Sequence, residues 1–187
     1  MLLRLTSNCV CLLALMLTIP IGMNAAFIGS YDPNNWTLTN NEADGLATLQ
    51  NDGSLVIIGG NNGSGNSGYT DFLIAAVETG IVSFHFFYTS QDAPGGDSAG
   101  YILNNVYTEL ANSVASPPGD ILFNVIAGQT FGFRILTVDN TGEPGILTIS
   151  NFSAPSGLSG VPEPSTWFTT LSSLAVFGAY WRRKSAN

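Results

Sequence analysis

From Leu55 onward the chain alternates short apolar runs with clusters of Gly, Asn, Asp and Pro, and no long stretch carries a 3.6-residue repeat. The pattern predicts strands over Leu55 to Ile58, Tyr69 to Val77, Ile81 to Thr89, Ala99 to Leu103, Ile121 to Ile126, Thr130 to Val138 and Ile146 to Phe152. Weaker strands or turns are expected around Trp36 to Leu38 and Leu46 to Leu49. Two segments alternate in register with a pleated sheet. Val82, Phe84, Phe86 and Tyr88 oppose Ser83, His85, Phe87 and Thr89, while Phe131, Phe133 and Ile135 oppose Gly132, Arg134 and Leu136. Each such strand hides one face, so the expected fold class is all-β, an antiparallel two-sheet sandwich. The glycine-rich stretch Gly59 to Gly68 is expected to be a flexible surface loop, and it lacks the regular aspartates of calcium-binding repeats.

The two ends of the chain break this pattern. Arg4, the apolar run Val10 to Ile19, the break at Pro20 and Gly22, and the small residues Ala25 and Ala26 predict a signal peptide over residues 1–26. Cys9 and Cys11 leave with it, so the exported domain over residues 27–160 has no disulfide, thiolate metal site or cysteine nucleophile. The remaining residues, 161–187, form a tail. In it Val161-Pro162-Glu163-Pro164-Ser165 is extended by its prolines, and an apolar stretch of 17 residues, Ser165 to Trp181, follows. As a helix that stretch reaches about 25 Å, enough to just span a hydrocarbon core of about 30 Å. Trp167, Tyr180 and Trp181 would mark the two interfaces, and Arg182, Arg183 and Lys184 would stop transfer and stay cytoplasmic.

Charge narrows the partners. The net charge is −8, and all but Glu163 of the 13 acidic residues fall between Asp32 and Glu143, where Arg134 is the only basic residue. Nucleic acid is excluded as a partner, because affinity for a phosphate backbone needs clustered Lys and Arg. The acidic loops offer calcium as a candidate ion: Asp92 and Asp97 in one loop, Asp139, Asn140 and Glu143 in another. Asp and Asn are also ordinary turn formers, so plain turn chemistry accounts for the same residues.

Catalysis finds little to work with. The chain has one histidine, His85, between two phenylalanines on a strand, which reads as a cross-strand partner. No catalytic residue is assigned and the chain is not expected to be an enzyme, although two of the carboxylates acting on a polysaccharide stand as a third reading. Trp36, Tyr69, Tyr101 and Tyr107 are the candidate sugar-stacking aromatics, with core packing as the competing role for each. Arg134 is the cation available for a buried ion pair or an acidic ligand.

Two resemblances add to this. The motif Val161 to Ser165, the short apolar helix and the basic end closely resemble the PEP-CTERM sorting signal, a signature also called the ice-binding protein C-terminal region. The resemblance implies processing by an exosortase near Pro-Glu-Pro and transient anchoring in the inner membrane of a Gram-negative bacterium. It further implies release to the cell envelope surface or to an extracellular polysaccharide matrix such as that of a biofilm. No ice-binding activity follows, since neither Thr-x-Thr ranks nor a fixed internal period occurs between Phe27 and Gly160. Separately, the run Ile81 to Phe86, Gly100-Tyr101-Ile102-Leu103, Gly128 to Phe133 and Ile149 to Phe152 is distantly similar to CUB-type and carbohydrate-binding jelly rolls. The expected function is a non-enzymatic surface or matrix module that adheres or scaffolds. The alternative is a carbohydrate-binding or calcium-dependent lectin-like module.

Overall fold

A computed structural model describes residues 24–92, 95–113 and 116–156. The expected signal peptide apart from its last residues, and the whole PEP motif, apolar stretch and basic triplet, lie outside the described residues. Among the described residues no helix is long and apolar enough to cross a membrane.

The strands are β1 (Asn24–Ala25), β2 (Thr37–Asn41), β3 (Leu46–Leu49), β4 (Leu55–Ile58), β5 (Gly68–Ala75), β6 (Gly80–Thr89), β7 (Asp97–Leu103), β8 (Val106–Ala111), β9 (Gly119–Val125), β10 (Thr130–Thr137) and β11 (Ile146–Pro155). They form two antiparallel sheets. One runs β3-β4-β11-β6-β9, with β1 also on β11, and the other runs β2-β5-β10-β7-β8. The fold is thus the expected all-β sandwich. The chain crosses repeatedly from one sheet to the other, which places residues distant in sequence side by side on each face.

The alternation sorts the faces as the pleat requires. Val82, Phe84, Phe86 and Tyr88 of β6 and Phe131, Phe133 and Ile135 of β10 are all buried between the sheets. Trp36 is the hub of an aromatic cluster, stacked on Phe72 at 5.0 Å and on Phe133 at 5.8 Å between ring centroids. Phe27, just past the expected signal peptide, stacks on Phe152 at 4.3 Å. Tyr31 locks the lower edge, since its hydroxyl donates to the Pro155 carbonyl and accepts from the Val77 amide.

Two local expectations are corrected. β8 is a strand the pattern did not single out; it is reached through Asn104 and Asn105, both at positive φ, the conformation of a two-residue hairpin turn. The glycine-rich segment is only partly a surface loop, because Gly59, Gly60 and Gly68 at its ends are buried. A Cβ on Gly60 would collide with the side chain of Asn140, so the glycine is there for close packing rather than for mobility. Asn140 itself is fully buried, and its amide nitrogen donates to the Glu42 and Asn66 carbonyls at 2.7 Å each. That one side chain ties three loops into a rigid end of the sandwich.

Candidate functional site

The outer face of the five-stranded sheet carries the densest polar and aromatic group. Register pairs Arg134 of β10 with Asp71 of β5 on one side and Gly100 of β7 on the other. The guanidinium donates to Asp71 twice, Nε to Oδ1 and Nη2 to Oδ2, at 2.6 Å each. Such a fork fixes the plane of the guanidinium. Its carbon lies 4.1 Å from the centre of the Tyr69 ring and 5.9 Å from that of Tyr107, so the cation is set between two aromatic rings. Asp71 first by its hydrogen bonds, against the opposing effect of burial, raises the pKa of Arg134 further above its ordinary value. The Tyr107 hydroxyl reaches Ser98 at 3.3 Å, and burial pushes its pKa up to about 12.

The four aromatics singled out from sequence therefore divide evenly. Tyr69 and Tyr107 share this outer face and remain half-buried, whereas Trp36 and Tyr101 are core residues. Tyr101 stacks on Phe123 at 4.9 Å because β7 turns Ala99, Tyr101 and Leu103 inward. Asp71 was not foreseen. Its signal was available in the i, i+2 spacing of Tyr69 and Asp71, which puts both on one face of a strand.

The outer face of the other sheet holds His85, whose Nδ1 lies 2.7 Å from Oδ1 of Asp120 across the β6–β9 pair. This is the cross-strand partnership expected of it. Beside it the register of β11 shifts between Ser150 and Ser153, and Asn151 takes positive φ. The shift leaves a shallow cavity of about 260 Å³ next to Ser83, His85 and Asp120.

The acidic loops come together only in part. Asp97 opens β7 and is buried, and Asp92 sits close enough for its charge to act on Asp97. Asp139 caps its own turn by accepting from the Thr141 amide at 3.0 Å, and Glu143 is exposed. Among the described residues no group of three His, Cys, Asp or Glu side chains is placed to hold a metal. Burial raises the pKa of Asp97, opposed by hydrogen bonds from the Thr137 hydroxyl, the Gly145 amide and the Ser90 hydroxyl.

Comparison with known proteins identifies the tail: residues 160–184 match the PEP-CTERM protein-sorting motif. The chain thus carries a signal for export and sorting toward the cell envelope over residues 160–184, the range that contains Val161 to Ser165 and Arg182, Arg183 and Lys184. No curated protein sequence matches the chain. Among solved structures, the chain is similar to the secreted serine protease VesC from Vibrio cholerae at 12% identity and a TM-score of 0.36. That match covers 53% of this chain and 21% of the protease, so it spans about a fifth of that protein's length. A family 35 carbohydrate-binding module from Clostridium thermocellum is similar at 11% identity and a TM-score of 0.33, covering 57% of this chain and 98% of the module. A family 29 carbohydrate-binding module is similar at 13% identity and 0.36, covering 78% and 93%.

Proposed function

We propose that this chain is a non-enzymatic module of the bacterial cell surface or biofilm matrix, processed by an exosortase and released as a rigid sandwich that adheres or scaffolds. The observation that carries the reading is the sorting motif over residues 160–184. Within it, Pro-Glu-Pro precedes an apolar stretch of 17 residues and a basic triplet, an order that suits cleavage outside the membrane of a chain whose apolar stretch is still embedded. The inner membrane of a Gram-negative cell is then a stage on the route, and the extracellular polysaccharide is the surrounding the mature domain meets. Its lone histidine, paired with Asp120 on an exposed sheet face, fits a binding or structural role better than a catalytic one. The test changes Pro162, Glu163 and Pro164 to alanine in a host with the matching exosortase. The variant should stay uncleaved and membrane-retained by immunoblot of cell fractions, and normal processing and release would refute the reading.

A second reading, carbohydrate binding, is favoured by one observation, the Tyr69–Arg134–Tyr107 array. Aromatic faces take the apolar face of a sugar ring, and a guanidinium fixed between them still has N–H groups beyond the two spent on Asp71. Extracellular polysaccharide is the ligand class this array suits. On a glycan array the wild-type protein should bind, and Tyr69→Ala with Tyr107→Ala should weaken binding by about 10-fold or more, one stacked ring being worth about 0.5–1.5 kcal/mol. Blank spots for folded wild-type protein would count against this reading.

A further inference from the structure

Asp97 is 4% exposed; Thr137, Gly145 and Ser90 donate to its carboxylate, yet Oδ2 is left without a hydrogen-bond partner. A buried carboxylate oxygen without a donor is costly, and an ion, an ordered water or a proton would relieve it. The hydroxyl of Tyr88, buried with Ser90 as its one polar neighbour, lies at the same spot: a Cβ on Gly145 would sit 2.7 Å from Tyr88 Oη and 3.1 Å from Asp97 Cβ. Tyr88 of β6 and Asp97 of β7, on facing sheets, thus approach each other beside Gly145, where the loop after β6 meets the loop before β11.

A second carboxylate stands beside them. A Cβ on Gly142 would lie 3.4 Å from Asp92 Oδ1, which fixes Asp92 against the 139–145 turn. Ser90 joins the two acids, since its Oγ accepts from the Asp92 amide at 3.2 Å and its hydroxyl also hydrogen-bonds Asp97. Ser90 also lines a neighbouring cavity of about 390 Å³ together with Gln91, Glu143 and Pro144. Among the described residues the one Lys or Arg is Arg134, and it is held by Asp71.

We propose that Asp97 and Asp92, with the Tyr88 hydroxyl, form a cation site at this end of the sandwich, filled by calcium from the extracellular medium. Calcium fits the donor set: hard oxygen ligands on loops, with water from the cavity completing the 6–8 oxygens it takes. Of the four acids expected to bind calcium, Asp97 and Asp92 carry the site. Asp139 is spent on its turn, and Glu143 stands at the cavity wall within reach of a bound water. With two protein carboxylates the affinity falls in the range of extracellular modules, Kd on the order of 10⁻⁴–10⁻³ M. The ion would bridge β6, β7 and the 139–145 turn, doing for this exported, cysteine-free domain what a disulfide does elsewhere.

The experiment uses the full-length chain in detergent. Calcium at about 100 times Kd should raise Tm by roughly 5–10 °C, and EGTA should reverse the rise. Terbium should give tyrosine-sensitised emission that calcium displaces. Asp97→Asn, which keeps the shape and removes the charge, should abolish both responses. Asp92→Asn should weaken both at least 10-fold in calcium concentration, and it tests the site independently should the buried variant fail to fold. The proposal is overturned if calcium leaves the Tm of the wild-type chain unchanged, and a rise in Tm with Asp97→Asn would then show that a proton satisfies Asp97. It is equally overturned if the responses persist in both variants.

Discussion

Trp36→Ala should lower the stability of the domain by about 3–5 kcal/mol, the usual cost of truncating a buried tryptophan, and lower Tm by roughly 10–15 °C. The indole is 7% exposed and lies parallel to Phe72 and Phe133, with the edges of Phe131 and Phe152 at 5.7 and 5.8 Å. Removing it leaves a void that five rings from β5, β10, β11 and the entry segment cannot all move to fill, because each is fixed by its own strand. The loss also strips the Tyr31 carbonyl of the donor it receives from Nε1 at 3.0 Å. Against a typical total of about 5–15 kcal/mol, that is a large share of the domain's stability. Thermal denaturation followed by far-UV circular dichroism reads the change, with Leu38→Ala as the control, since Leu38 faces partly to solvent on an edge strand. A Trp36→Ala midpoint within about 2 °C of the wild type would show that the cluster is not the core that holds the sheets together.

The core face was legible wherever the alternation was clean. In β6 and β10 a period of two, read on single residues, assigns inside and outside without help from neighbours. It was less legible in β8, where Val106, Tyr107 and Leu110 lie on an edge strand that alternates without a heavy apolar load. There the pair Asn104-Asn105 was the readable signal, since asparagine tolerates the positive φ of a tight hairpin. The burial of Gly59 and Gly60 could not be read at all, because a glycine-rich run looks the same whether it is mobile or pressed against Asn140.

The sites follow the same division. The sorting motif is linear, so its residues carry their meaning in order and spacing alone. The Arg134 array is assembled from β5, β8 and β10, and strand order in a sandwich is set by crossovers that a local pattern does not encode. Sequence could name Tyr69, Tyr107 and Arg134 as candidates one by one. It could not say that they share a face, nor that Trp36 and Tyr101 point away from it.

Arg134→Met should destabilise the domain more than Asp71→Asn, and the double variant should recover much of the loss. The asymmetry comes from burial: the Asp71 side chain is 7% exposed and that of Arg134 is 23% exposed. Removing the guanidinium strands an anion that water barely reaches, a situation that costs about 3–5 kcal/mol where both partners are fully buried. Removing the carboxylate charge leaves the guanidinium with partial access to solvent and with Tyr69 still against its face, so the cost should be nearer about 1–2 kcal/mol. When both are neutral, no uncompensated charge remains on the sheet, and the double-variant cycle should show a coupling of about 1–3 kcal/mol. Thermal melts at low and high salt complete the measurement. A pair this well shielded should lose little of its coupling at about 1 M salt, whereas a surface pair would lose most of it. Equal losses for the two single variants would show that the array is effectively solvent-exposed, and the face would then lose its claim to present a fixed cation to a ligand.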